Sequence, residues 1–123
     1  VLKMAPEHHD AAFAAVSHLP HLLAFAYMNA LAAQPLGQEY LSLAGPGFRD
    51  FSRIAASEPT IWRDILLSNR EEILKQSAAF RDALEQMERQ MRDWNGGPLQ
   101  NLIQSASDAR SQWHLGGKTS NSR

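Results

Sequence analysis

Residues 68–98 read SNREEILKQSAAFRDALEQMERQMRDWNGGP, and this stretch decides the fold class. Ile73, Ser77, Phe80, Leu84, Met87, Met91 and Trp94 recur at alternating steps of four and three. That spacing puts them on one edge of a long helix, with Leu74 and Ala83 widening the stripe. Ser68-Asn69-Arg70-Glu71 has the S-x-x-E form of a capping box, which predicts the helix start at Ser68. Asn95-Gly96-Gly97 is expected to stop the helix, with Pro98 in the first turn of a final one. Leu99, Leu102, Ile103, Ala106 and Trp113 give that last helix its apolar face, and residues 116–123 read as a small, polar, disordered tail.

Upstream the same logic holds. A first helix is expected from Pro6 or Glu7 to about Ala33, apolar on all sides and therefore central and covered. Pro20 lacks an amide donor and should kink or divide it. The segment from Ala11 to Ala33 is long enough to span a bilayer. Ser17, His18, Pro20, His21 and Asn29 make it costly in lipid, so a core helix is the better reading. A short helix is expected over Leu36 to Leu43, then the Gly45-Pro46-Gly47 turn, then a helix from Phe48 to Ala56. Ser57 is the expected N-cap of the next, with Pro59 in its first turn. No alternating β pattern occurs. The fold class is all-α, with about six helices in one domain over residues 1–115. Its apolar helix surface exceeds what a small monomer hides, which predicts self-association.

The bulk composition agrees. The 123 residues are 44% apolar and 20% charged, ordinary globular material able to bury about two-thirds of its unfolded surface. A formal charge of -1 leaves no electrostatic footprint for nucleic acid or an anionic membrane. Without cysteine there is no disulfide or thiolate chemistry, and a cytoplasmic location is the default expectation. No basic leader precedes an apolar segment, and the first residue is Val1 rather than Met, which suggests processing or a boundary.

Polar chemistry concentrates inside the most apolar helix. On a regular helix Asp10, Ser17 and His21 share one face to within about twenty degrees, with His18 to one side. Such groups need partners: a hydrogen-bonded structural cluster, a cap for the break at Pro20, or the wall of a wet pocket. A metal site is disfavoured because no H-E-x-x-H occurs and Pro20 disturbs the His18–His21 spacing. One helix cannot supply a Ser17-His21-Asp10 triad and an oxyanion hole together. The second concentration is Arg49-Asp50-Phe51-Ser52-Arg53, either an exposed ion pair or a guanidinium fork for a carboxylate. Trp62-Arg63-Asp64 reads the same way, with Trp62 in the core or in a pocket wall. Neither G-x-G-x-x-G nor a P-loop is present.

Three stretches resemble the C-terminal domain of the prephenate dehydrogenase family, which includes arogenate and cyclohexadienyl dehydrogenases. They are His9-Asp10 with Val16-Ser17-His18-Leu19-Pro20-His21; Leu43-Ala44-Gly45-Pro46-Gly47-Phe48-Arg49-Asp50-Phe51-Ser52-Arg53-Ile54-Ala55; and Trp62-Arg63-Asp64-Ile65 with Asn69-Arg70. The resemblance runs from about Pro6 to Trp94. It implies an intertwined helical homodimer behind a separate Rossmann domain, with substrate in the cleft between domains. It also implies oxidative decarboxylation of prephenate or arogenate in tyrosine biosynthesis, with NAD or NADP held by the Rossmann domain and none by this chain.

By the same resemblance His21 and Arg53 hold the substrate's carboxylate and polar groups. Ser17 and His18 belong to that wall, Asp50 orients Arg53 or lines the pocket, and Trp62 lies near the substrate. The histidine that activates the substrate hydroxyl belongs to the Rossmann domain, so no catalytic residue is expected here. Tyrosine is a plausible feedback ligand because it shares the substrate's ring and carboxylate. A ligand-free structural dimer is the alternative. The sequence departs from the family pattern at Pro46, where Gly is expected, and at Ser52, where Thr is usual; Pro46 removes an amide donor from the turn.

Overall fold

The computed structural model describes residues 5–113, all of the described segments being helical or connecting turns. Among the described residues there are six helices: α1 Pro6–Ala32, α2 Gly37–Leu41, α3 Pro46–Ser52, α4 Pro59–Ser68, α5 Arg70–Arg92 and α6 Gly96–Ser111. The all-α expectation holds, and so does the helix count. The tail expected over residues 116–123 lies outside the described residues. The chain divides into two compact units, Val1–Ala78 and Ala79–Arg123.

In the first unit α1 is the element on which the others pack. Pro20 does not divide it. Instead Ala14–His18 form a π turn, in which the Leu19 amide donates to the Ala14 carbonyl five residues back. The extra residue widens the turn just where the proline ring would meet the backbone behind it, so Pro20 opens the next α-helical segment without a break. Tyr27 of α1 meets Phe51 of α3 edge to face at 5.4 Å, with Phe48 at 6.0 Å.

The expectation that α1 is covered on most sides is not met. Ala14, Leu19 and Ala24 are buried along one face, whereas Val16 is 73% exposed and Phe13 and Tyr27 about half. The 27-residue helix is long and apolar enough to cross a membrane by length and composition, with a mean hydropathy of 1.3 in its most apolar window. His18, His21 and Phe25 of this helix nevertheless pack on Trp62 of α4.

Several boundaries differ from expectation. The Phe48–Ala56 segment starts earlier, at Pro46, and tightens to a 3₁₀ turn over Arg53–Ala55. Glu58, not Ser57, caps α4, its carboxylate accepting from the Ile61 amide at 2.8 Å. Pro59 holds its predecessor extended, so the cap must fall at position 58; Ser57 instead donates to the Ile54 carbonyl. The capping box also slips by one. Ser68 is still α4, donating to the Ile65 carbonyl, and Asn69 becomes the residue before α5, its carbonyl accepting from the Ile73 amide at 3.1 Å.

In the second unit the stripe on α5 is open. Phe80 and Leu84 are about 40% exposed, Met91 is 63% exposed and Trp94 92%. Opposite charges line the rest of α5, Glu85 with Arg89 and Arg92, and Glu88 with Arg92. Asn95-Gly96-Gly97 do not form the stop: Gly96 and Gly97 already belong to α6, and the reversal falls on Trp94 at φ 55°.

Candidate functional site

Trp62 on α4 gathers the polar chemistry of α1. His21 stacks on the indole with centroids 3.7 Å apart and planes 13° apart. His18 meets it edge-on at 6.0 Å, and Phe25, one turn beyond His21, closes on it at 6.2 Å. An open cleft of about 390 Å³ begins at this cluster, with Phe25, Met28, Trp62, Arg63 and Leu66 among its walls. A predominantly apolar concavity with a few polar groups at its edge is the usual form of a small-molecule site.

The polar face read from a regular helix is rearranged by the π turn. Ser17 meets His21 through its carbonyl, which lies 2.9 Å from His21 Nδ1. Asp10 likewise offers its carbonyl, 3.0 Å from Asn69 Nδ2, while its carboxylate lies 4.0 Å from the exposed His9. No bond joins the Ser17 hydroxyl to His21 among the described residues, so the triad geometry is absent. Asn69 Nδ2 also lies 3.2 Å from His18 Nδ1. Burial lowers the His18 pKa from the ordinary 6.5, the neighbouring His21 lowers it further, and Asp10 pulls the other way. Both leading effects favour the neutral imidazole.

Residues 5–105 match the family described as prephenate dehydrogenase, dimerization domain. The chain belongs to that family. It is 40% identical to a prephenate dehydrogenase of Bacillus subtilis over 74 residues, 59% of this chain and 20% of that protein. It is 37% identical to a cyclohexadienyl dehydrogenase of Zymomonas mobilis over 73 residues, 58% of this chain and 25% of that protein. Among solved structures it is similar to Synechocystis arogenate dehydrogenase, with a TM-score of 0.82 and 28% identity over 87% of this chain and 40% of that one. The Aquifex aeolicus prephenate dehydrogenase, solved with hydroxyphenyl propionate and NAD+, gives a TM-score of 0.81 and 35% identity over 89% of this chain and 39% of that one. The chain thus spans a fifth to two-fifths of these relatives.

Within this prephenate dehydrogenase dimerization domain, His18, His21 and Trp62 come together, and Ser17 joins them through its backbone. Arg49, Asp50 and Arg53 stand apart: all three are exposed and form no ion pair among the described residues, so Asp50 does not orient Arg53 here. Arg53 opens the 3₁₀ turn packed against α1, and Ala55 of the same turn lines the cleft. Sequence reasoning missed Phe25 and Asn69 as members of the cluster. Phe25 sits four residues after His21, a visible helical spacing; Asn69 was masked by the capping box assigned one residue early.

Among the described residues no three His, Cys, Asp or Glu side chains converge as a metal site would require. Among the described residues the glycines do not form a dinucleotide cradle either. Gly45 and Gly47 flank a proline, and a Cβ at either would meet nothing within 4 Å, so neither marks a tight phosphate-binding turn.

Proposed function

We propose that this chain is the dimerization and substrate-binding half of a prephenate or arogenate dehydrogenase, an oxidoreductase of tyrosine biosynthesis. The match of residues 5–105 to the family's dimerization domain carries the reading. In it, a Rossmann domain outside this sequence holds NAD or NADP and supplies the hydride chemistry. This chain contributes binding: His21 and Arg53 to the substrate's carboxylate and polar groups, Ser17 and His18 to the same wall, Trp62 to its ring, and Asp50 to the pocket rim. A dianionic substrate needs fixed donors, and holding it rigidly against the cofactor is a large part of catalysis. NAD is the favoured cofactor, since a relative was solved with NAD+. The protein acts as a cytoplasmic homodimer through its helical domain, and tyrosine competes at the same site because it shares the ring and carboxylate.

Supporting the dimer is the open stripe of Phe80, Leu84, Met91 and Trp94, which a second copy would cover. The test is Arg53→Ala in the whole enzyme. Loss of a charge-assisted bond raises KM for prephenate about tenfold or more while kcat changes less. An unchanged KM removes Arg53 from the site. If His21→Ala and Arg53→Ala both alter stability alone, the chain is a structural dimer module without a ligand.

A further inference from the structure

Asn69 occupies the one-residue break between α4 and α5, with φ -114° and ψ 27°. Its backbone continues both helices, accepting from Ile73 and donating to the Ile65 carbonyl at 3.2 Å. The side chain is therefore not needed as a cap. It turns to α1 and spans the π turn: Nδ2 reaches the Asp10 carbonyl one turn before Ala14 and His18 Nδ1 at the end of the turn.

This geometry fixes protons. A carbonyl only accepts, so the amide end that faces Asp10 must be the nitrogen. The same nitrogen faces His18, whose Nδ1 must then be the acceptor, leaving the proton of the neutral ring on Nε2. His21 is set the opposite way. Its Nδ1 faces the Ser17 carbonyl, so Nδ1 carries a proton, and in the neutral form of the ring Nε2 carries the lone pair. Neither Nε2 has a hydrogen-bond partner among the described residues. Two histidines three residues apart, both against Trp62, thus offer one donor and one acceptor.

We propose that Asn69 is a positioning residue that holds His18 as an Nε2–H donor for an anionic oxygen of the ligand. Its importance for binding rests on the proposed role of the His18 wall; the tautomer does not. A second consequence is that a ligand group bridging the pair must accept at His18 and share a proton at His21. A hydroxyl or a protonated carboxyl oxygen meets that requirement, and a quaternary ammonium does not.

The test is long-range ¹H–¹⁵N NMR of the histidine rings at mildly alkaline pH, in wild type and Asn69→Asp. Asp also suits the position before a helix but accepts where Asn donates. Wild type should show His18 protonated at Nε2 and His21 at Nδ1, and Asn69→Asp should move the His18 proton to Nδ1. Wild-type His18 protonated at Nδ1 overturns the proposal even if the variant does not fold. Binding of 3-(4-hydroxyphenyl)propionate by the whole enzyme with its dinucleotide should weaken about tenfold in Asn69→Asp, the loss of one hydrogen bond to a charged group. If the proton moves but affinity holds while His21→Ala weakens it, the positioning role fails and the site reading stands. If neither variant nor Arg53→Ala alters affinity, the site reading itself fails and takes the ligand role of Asn69 with it.

Discussion

His21 lies flat on Trp62, centroids 3.7 Å apart and planes 13° apart, and this pair joins α1 to α4. Stacking of this kind contributes about 0.5–1.5 kcal/mol beyond the area it buries. Trp62 also touches His18 and Phe25, so one side chain organises three. Trp62→Phe keeps a ring and should cost about 1 kcal/mol. Trp62→Ala removes the whole platform and should cost about 3 kcal/mol, near the lower end for large aromatic truncations because the indole is only half-buried. Urea unfolding of both variants checks the ordering. Equal losses in the two would mean that a phenyl ring recovers none of the contact and that the retained volume counts for nothing.

His18 makes stability depend on pH with a definite sign. Its folded pKa is below the ordinary 6.5, chiefly through burial and then through His21, with Asp10 opposing. Below 6.5 the unfolded ring takes up a proton that the folded ring refuses, so the unfolded state gains. The stabilisation is complete above about pH 6.5 and declines as pH falls toward the lowered folded pKa. Protonation at Nδ1 also costs the bond from Asn69, in the same direction. Thermal midpoints of wild type and His18→Gln across this window should converge as pH falls. Parallel curves would mean that His18 does not carry the dependence.

Gly37 is the clearest backbone constraint. A Cβ there would stand 2.5 Å from the Leu31 carbonyl oxygen, which belongs to the end of α1. Backbone cannot yield as a flexible side chain does. Gly37→Ala should therefore destabilise the α1–α2 corner by about 1–3 kcal/mol, the range for overpacking, despite alanine's better helix propensity. A Tm equal to or above wild type would show that the corner opens freely.

The helices were legible because each carries its own signal: the four-three stripe of α5, the apolar run of α1, the prolines at Pro46, Pro59 and Pro98. What was not legible came from contacts between segments distant in sequence. Asn69 displaces Ser68 at the start of α5 because α1 supplies partners for its amide, and nothing in S-x-x-E announces them. Pro20 looked like a break, but a π turn absorbs it, and that choice decides whether Ser17 presents its hydroxyl or its carbonyl to His21. The residues His21 and Trp62 could each be singled out from the sequence; their stacking could not. Arg53 was chosen by motif and stands exposed, without an ion pair among the described residues.

Trp94 reverses the chain in a conformation that favours glycine. Asn95 donates to the Gln90 carbonyl at 2.9 Å and Trp94 to the Met91 carbonyl at 3.3 Å, the two bonds of a Schellman turn with Trp94 at the left-handed position. A bulky residue at φ 55° costs about 1–2 kcal/mol, and the indole, 92% exposed, makes little return within the chain. The strain makes sense if the indole is covered by the second copy at the end of the Phe80–Met91 stripe. Trp94→Gly should then have two opposite effects. Measured in dilute solution, the chain gains about 1 kcal/mol of stability as strain is relieved. Measured by sedimentation, the dimer dissociates at about tenfold lower dilution, since an aromatic anchor has been removed. A gain in stability with unchanged dimerization would place Trp94 outside the interface, and a loss of stability in the monomer would show that the indole is anchored within its own chain.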